Sequence, residues 1–122
     1  MTKAVRGAIQ VTQNGKRAIY EASQRLVSEI LKANEILPQA IISIIFSQTV
    51  DLDAGYPATG LREVGFADTP LFCVQEANVR DSMPRVIRVL VSFEGEAQRK
   101  PSAVYLDGAE LLRPDIAPRR SR

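Results

Sequence analysis

The nine residues RVIRVLVSF, at positions 85–93, alternate between aliphatic side chains and a mixed set that contains one charge. Successive side chains of a β-strand point to opposite faces. One face of this stretch is therefore apolar and consists of Ile87, Val89, Val91 and Phe93. The other face carries Val86, Arg88, Leu90 and Ser92. Arg88 is either an ordinary solvated charge or a guanidinium held on a rigid strand for an anion or a developing negative charge.

The rest of the chain predicts four further strands and two helices. The strands are expected at about 4–12, 41–48, 69–75 and 103–108, and the helices at about 16–34 and 57–65. Asn14 can cap the first helix, Pro57 suits the first turn of the second helix, and Gly65 suits its end. The order β-α-β-α-β-β-β predicts an α+β fold, a single-domain mixed β-sheet with its helices on one face.

Two of these strands indicate what surrounds the sheet. The segment at 41–48, IISIIFSQ, is almost continuously aliphatic, which predicts burial on both faces and a central position. The strand near the N-terminus places Arg6 opposite its apolar face, as the later strand does with Arg88. Helices on one face leave the other face bare, so we expect another copy of the same chain to cover it.

Composition limits the classes of protein that the chain can represent. Its 122 residues suit one domain, and a net charge of +2 does not predict a nucleic-acid-binding face. The sequence has no apolar run of membrane-spanning length and no signal-peptide stretch at its start, so we expect a cytoplasmic protein without a membrane partner. The single cysteine cannot form a disulfide within the chain.

The absence of histidine limits the catalytic mechanisms and the metal sites that the chain can form. It excludes histidine-dependent triads and, within one chain, zinc sites built from His and Cys. The sequence also lacks the phosphate-binding pattern GxxxxGK[ST]. Catalysis would have to use Arg, Glu, Asp, Tyr, Lys, Ser or Cys73, and we expect no metal.

Five segments occur in the order and at nearly the spacings found in one enzyme family. They are VRGAIQV (5–11), SQTVDLDAGYPATGLRE (47–63), CVQE (73–76), VIRVLV (86–91) and VYLDGAELLRPD (104–115). Over most of its length the chain resembles the AroH-type chorismate mutases. The resemblance implies a homotrimer that forms a pseudo-α/β barrel with active sites at subunit interfaces. We expect the mutase domain to span 1–115 and the Pro- and Arg-rich segment at 116–122 to be a flexible tail.

The resemblance implies one reaction, the conversion of chorismate to prephenate in phenylalanine and tyrosine biosynthesis, with no cofactor. This is a 3,3-sigmatropic (Claisen) rearrangement, which a protein can assist by selecting a conformer and stabilising charge on the ether oxygen. By position, Arg88 is implied to donate to that oxygen and Glu76 to accept from the substrate hydroxyl. Arg6 and Tyr105 are implied to hold a carboxylate, and Cys73 to contact the substrate near its hydroxyl.

The same resemblance implies that a neighbouring subunit supplies a wall to each site. Its residues here are Tyr56, Ala58, Thr59 and Arg62, and Leu112 closes the site from the first subunit. The chain departs from the family where Thr59 replaces a frequent lysine, Tyr56 a usual phenylalanine, and Phe72 a threonine. These departures change the contacts expected at the rim of the site.

Two other functions compete with this interpretation. An imine-deaminase-like enzyme on a similar trimeric barrel would also use an interfacial arginine, but it would lack the RGA, CxQE and LRPD segments. A non-catalytic trimeric module could use the same arginines to bind a metabolite. Taken singly, Glu76 could also be an ordinary loop carboxylate, Tyr105 a half-buried strand residue and Cys73 a small core residue.

Overall fold

The computed structural model describes residues 1–116, so the predicted tail at 116–122 lies outside the described residues except for its first position. In this part of the chain, five strands and two α-helices follow one another in the predicted order. They are β1 (Thr2–Gln10), α1 (Lys16–Asn34), β2 (Ile41–Gln48), α2 (Pro57–Arg62), β3 (Leu71–Gln75), β4 (Val86–Glu94) and β5 (Val104–Leu106). Two short 3-10 helices, Pro38–Ala40 and Ala109–Leu112, precede β2 and follow β5.

The five strands form one mixed sheet with β4 at its centre, in the order β3-β2-β4-β1-β5. β4 pairs antiparallel with β1 from Thr2–Glu94 to Gln10–Val86, and antiparallel with β2 on its other side. The outer pairs, β2 with β3 and β1 with β5, are parallel. The predicted α+β fold with a mixed sheet is confirmed.

Both helices pack against one face of the sheet, and this is where the core lies. The face of β4 predicted to be apolar is the core face, because its four side chains are all buried there. The helical side chains that pack on it are Ile19, Leu26, Val27 and Ile30 of α1 and Ala58 and Leu61 of α2. The predicted placement of the helices on one side is confirmed.

The opposite face of the sheet, which we call the open face, carries Arg6, Ile45, Arg88 and Leu90. It exposes apolar side chains to between 40% and 64%, namely Ile45, Phe72, Val74 and Leu90. Burial of β2 on both faces is therefore wrong for a single chain, since neither helix covers Ile45. The prediction of a central position is wrong as well, because β2 lies second in the sheet and β4 lies at the centre.

Helix α1 has the predicted bounds but a different start. Its N-cap is Gly15, which makes no side-chain capping bond. Asn14 instead accepts from the amides of Asp53 and Ala54 at 3.1 Å each, and its Nδ2 donates to Asp53 Oδ1 at 2.7 Å. The predicted cap is wrong because this side chain ties the start of α1 to the loop before α2. No helix within residues 1–116 is both long and apolar enough to cross a membrane.

Helix α2 begins at Pro57, as predicted, and ends at Arg62, three residues before the predicted end. Gly65 still marks a change of direction, since its φ of 105° lies in the left-handed region. Gly60 lies where α2 presses against α1. A Cβ atom at this position would lie 2.6 Å from Ser23 Oγ and 2.8 Å from the backbone of Tyr20.

We expect Gly60→Ala to lower the free energy of unfolding by about 1–3 kcal/mol, because the added methyl group would push the two helices apart. Gly15→Ala is a suitable control, because a Cβ there would meet nothing closer than a Gln13 side-chain atom at 3.7 Å. Its cost should stay below about 1 kcal/mol. Urea unfolding of both variants measures the difference, and equal stabilities would show that the helices can separate without cost.

Candidate active site

Three side chains meet on the open face where β3, β2 and β4 lie side by side. Ser47 on β2 pairs in register with Arg88 on β4. Glu76 follows β3 directly, and its amide donates to the carbonyl of Gln48 at 2.8 Å. The Ser47 hydroxyl donates to Glu76 Oε1, and Arg88 Nε lies 3.1 Å from Glu76 Oε2. We call Ser47, Glu76 and Arg88 the Ser–Glu–Arg cluster.

The Nε atom of Arg88 is buried and has no hydrogen-bond acceptor within residues 1–116. Its 3.1 Å contact with Glu76 brings opposite charges together, but the N–H is not directed at the carboxylate oxygen as a hydrogen bond requires. A buried donor without an acceptor is costly. The whole side chain is nevertheless 41% exposed. Arg88 makes no hydrogen bond within residues 1–116, so the exposed part of its side chain could donate to an oxygen atom of a ligand without breaking an existing bond.

Arg6 and Tyr105 lie on the same face, on the other side of β4. Ala8 of β1 pairs with Arg88 on one side and with Tyr105 on the other, so these three residues form one row across three strands. Tyr105 is buried, and Leu112 packs against the small cluster that contains it. Arg6 is exposed, makes no ion pair with the described residues, and lines a cavity of about 640 Å³. One chain thus carries Arg6, Glu76, Arg88 and Tyr105 on one face.

The wall that was expected from a neighbouring subunit lies around the first turn of α2. Tyr56 is 67% exposed, and Arg62 Nη1 donates to Thr59 Oγ1 at 3.3 Å. The side chain of Ala58 is buried in the core of its own chain. Within residues 1–116, no hydrogen bond or ion pair joins these residues to the Ser–Glu–Arg cluster. A single chain therefore leaves wall and cluster without a direct polar contact.

Cys73 and Phe72 point to opposite faces of β3. Cys73 packs against the core on the helix side, away from Glu76, and together with Tyr56 it lines a cavity of about 420 Å³. Burial raises the pKa of the Cys73 thiol, and a backbone hydrogen bond at Ala58 and the charge of Arg62 offset part of this effect. A protonated thiol is a poor nucleophile. Phe72 is 64% exposed on the open face.

Ser47 is not among the site residues predicted from the sequence, although the strand that carries it is predicted. The alternation of β2 assigns Ser47 to the open face, but the pairing with Arg88 depends on the register between β2 and β4. A serine between Phe46 and Gln48 gave no signal of its own. No group of three or more His, Cys, Asp or Glu side chains within residues 1–116 is placed to hold a metal ion.

The family model for type I chorismate mutases matches residues 2–116. The chain belongs to the type I chorismate mutase family. Among relatives of this family, it is 37% identical to the chorismate mutase AroH of Thermus thermophilus over 118 residues, which cover 95% of this chain and 97% of that one. It is 30% identical to the chorismate mutase AroH of Bacillus subtilis over 119 residues, covering 96% and 94%.

A solved structure from the same family has the same fold. The chorismate mutase from Clostridium thermocellum matches with a TM-score of 0.85 and 36% identity, covering 89% of this chain and 98% of that one. The resemblance inferred from the five sequence segments is thus confirmed, and the chain is an isomerase of aromatic amino-acid biosynthesis. Family, relatives and fold together favour a chorismate mutase over an imine-deaminase-like enzyme or a non-catalytic module.

We expect Cys73→Ser to change kcat/KM by less than about threefold, because this thiol is protonated and faces the core instead of Glu76. Steady-state rates with chorismate measure the effect, and circular dichroism verifies that the variant is folded. A folded Cys73→Ser protein without activity would instead indicate a covalent role for the sulfur.

Proposed function

We propose that the chain rearranges chorismate to prephenate by electrostatic stabilisation of the transition state, at a site that neighbouring copies of the chain complete. The observation that carries this proposal is the partly exposed guanidinium of Arg88, which lies beside Glu76 on the open face and makes no hydrogen bond within residues 1–116. In this reaction an ether C–O bond breaks as a C–C bond forms. It needs no nucleophile and no proton transfer, so a site without histidine can perform it.

Arg88 is, in this proposal, the donor to the ether oxygen. Negative charge grows on that oxygen in the transition state, and a donor fixed on the central strand does not have to reorganise to meet it. Removing one such preorganised donor typically costs about 3 kcal/mol of barrier. Lysine has a compact ammonium in place of the planar guanidinium fork, so it would not reproduce this geometry.

The remaining polar residues would fix the conformation of the substrate. Glu76 would accept from the substrate hydroxyl, and Arg6 and Tyr105 would hold a carboxylate. Chorismate is a flexible dianion, and holding it at several points selects the compact conformer in which the reacting carbons meet. Arg6 is exposed and makes no ion pair within residues 1–116, which supports this assignment.

We also propose that the active form is a homotrimer whose subunits meet through the open face. Apolar side chains exposed at Ile45, Phe72 and Leu90 support this, because such a face is normally covered in a stable assembly. Tyr56, Thr59 and Arg62 would then come from a neighbour to face the Ser–Glu–Arg cluster. A cytoplasmic location for this assembly would agree with the single cysteine, which can form no disulfide within the chain.

Sedimentation should give the mass of three chains for the wild-type protein. We expect Ile45→Asp to dissociate the assembly and abolish turnover, because it places a charge within the apolar open face. Leu37→Asp is a matched control, since Leu37 is 64% exposed outside the sheet. A fully active monomer would contradict both the proposed assembly and the divided site.

Arg88→Lys and Arg88→Ala should each lower kcat by at least about 100-fold in a folded protein, since the lost interaction forms mainly in the transition state. Loss of the enol-ether absorbance of chorismate gives the rate, and identification of prephenate confirms the product. Arg99→Lys serves as a control, because Arg99 pairs with Glu35 away from the open face. Near-normal turnover by both Arg88 variants would show that this guanidinium is an ordinary solvated charge.

A further inference from the structure

The two carboxylate oxygens of Glu76 have different neighbours. Oε1 accepts from the hydroxyl of Ser47, and Oε2 lies 3.1 Å from Arg88 Nε. The carboxylate is therefore shared between a neutral donor on β2 and a cation on β4. This sharing is unusual for an arginine and a carboxylate at contact distance, which commonly form two parallel hydrogen bonds.

We propose that Ser47 is a positioning residue that keeps Glu76 from closing onto Arg88. This inference rests on the proposed function. While Ser47 holds Oε1, Glu76 cannot turn both oxygens towards the guanidinium. The guanidinium of Arg88 then makes no hydrogen bond to Glu76, as in the structure, and the exposed part of this group can donate to the ether oxygen of the substrate. Ser47 acts on the reaction through Glu76 and Arg88.

The backbone fixes the position from which Ser47 acts. Ser47 pairs with Val74 on β3 and with Arg88 on β4, so a strand ladder holds it on each side. The amide of Glu76 donates to the carbonyl of Gln48, the residue next to Ser47. Hydroxyl and carboxylate are thus carried by backbone segments that are hydrogen-bonded to each other, and their contact does not depend on a flexible loop.

Loss of the Ser47 hydroxyl would leave Oε1 without its donor. The nearest strong donor group would then be the guanidinium of Arg88, and a two-bond pair between Glu76 and Arg88 would form. That pair would occupy the donor needed by the ether oxygen and the acceptor needed by the substrate hydroxyl. Removal of the Ser47 hydroxyl should therefore lower kcat more than it changes KM.

The pair Ser47→Thr and Ser47→Val tests the hydroxyl at nearly constant side-chain volume. We expect Ser47→Thr to keep kcat within about threefold of wild type, and Ser47→Val to lower kcat by about tenfold or more, as for loss of a hydrogen bond to a charged group. Ser47→Ala should behave like Ser47→Val. Ser92→Ala is a matched control, because Ser92 lies on the same face of β4 and its side chain makes no hydrogen bond within residues 1–116.

A comparison of Ser47→Thr with Ser47→Val in a protein that also carries Glu76→Ala distinguishes a positioning role of Ser47 from a general effect on stability. If Ser47 acts through Glu76, Thr and Val at position 47 should differ there by less than about twofold in kcat. Equal rates for Ser47→Thr and Ser47→Val in the presence of Glu76, or an undiminished difference in its absence, would overturn the inference. Failure of the wild-type protein to convert chorismate would overturn the proposed function instead, so the two failures are distinguishable.

Discussion

The pairing of β4 with a strand on each side is the interaction on which the rest of the molecule depends. Because β4 is bonded to β1 and β2 along most of its length, its side chains must alternate between the helix side and the open face. The same strand therefore supplies the centre of the core, through Ile87 and Val89, and the cation of the site, through Arg88. A shift of the strand pairing by one residue would move the core side chains of β4 to the open face and Arg88 to the helix side.

The start of β4 is fixed by contacts that strand pairing alone would not supply. Arg85, with φ of 54°, lies in the left-handed region just before the strand. Its amide donates to the carboxylate of Asp51 at 3.1 and 3.2 Å, and the amide of Val86 donates to Thr49 Oγ1 at 3.0 Å. The loop after β2 thus determines where β4 begins, and with it the position of Arg88.

Local patterns in the sequence were enough to predict the elements and the face of β4 that is buried, because alternation and helical spacing are properties of neighbouring residues. They were not enough for features that depend on distant partners. Asn14 bonds to Asp53, 39 positions away, so its role could not be read from the helix it precedes. Ser47 becomes part of the candidate site only through the register between β2 and β4, and the roles of Arg6 and Tyr105 came from family resemblance.

The row formed by Arg88, Ala8 and Tyr105 affects which parts of the enzyme's sequence can change without altering the site. Neighbouring strands lie about 4.8 Å apart, so the guanidinium-bearing and phenol-bearing strands are held about 10 Å apart by backbone hydrogen bonds alone. Because backbone hydrogen bonds set this distance, substitutions of core side chains do not change it. Gly7 maintains it at β5, where a Cβ atom would meet the Val104 carbonyl oxygen at 2.7 Å. The core can therefore diverge widely in sequence while the span offered to a substrate stays the same.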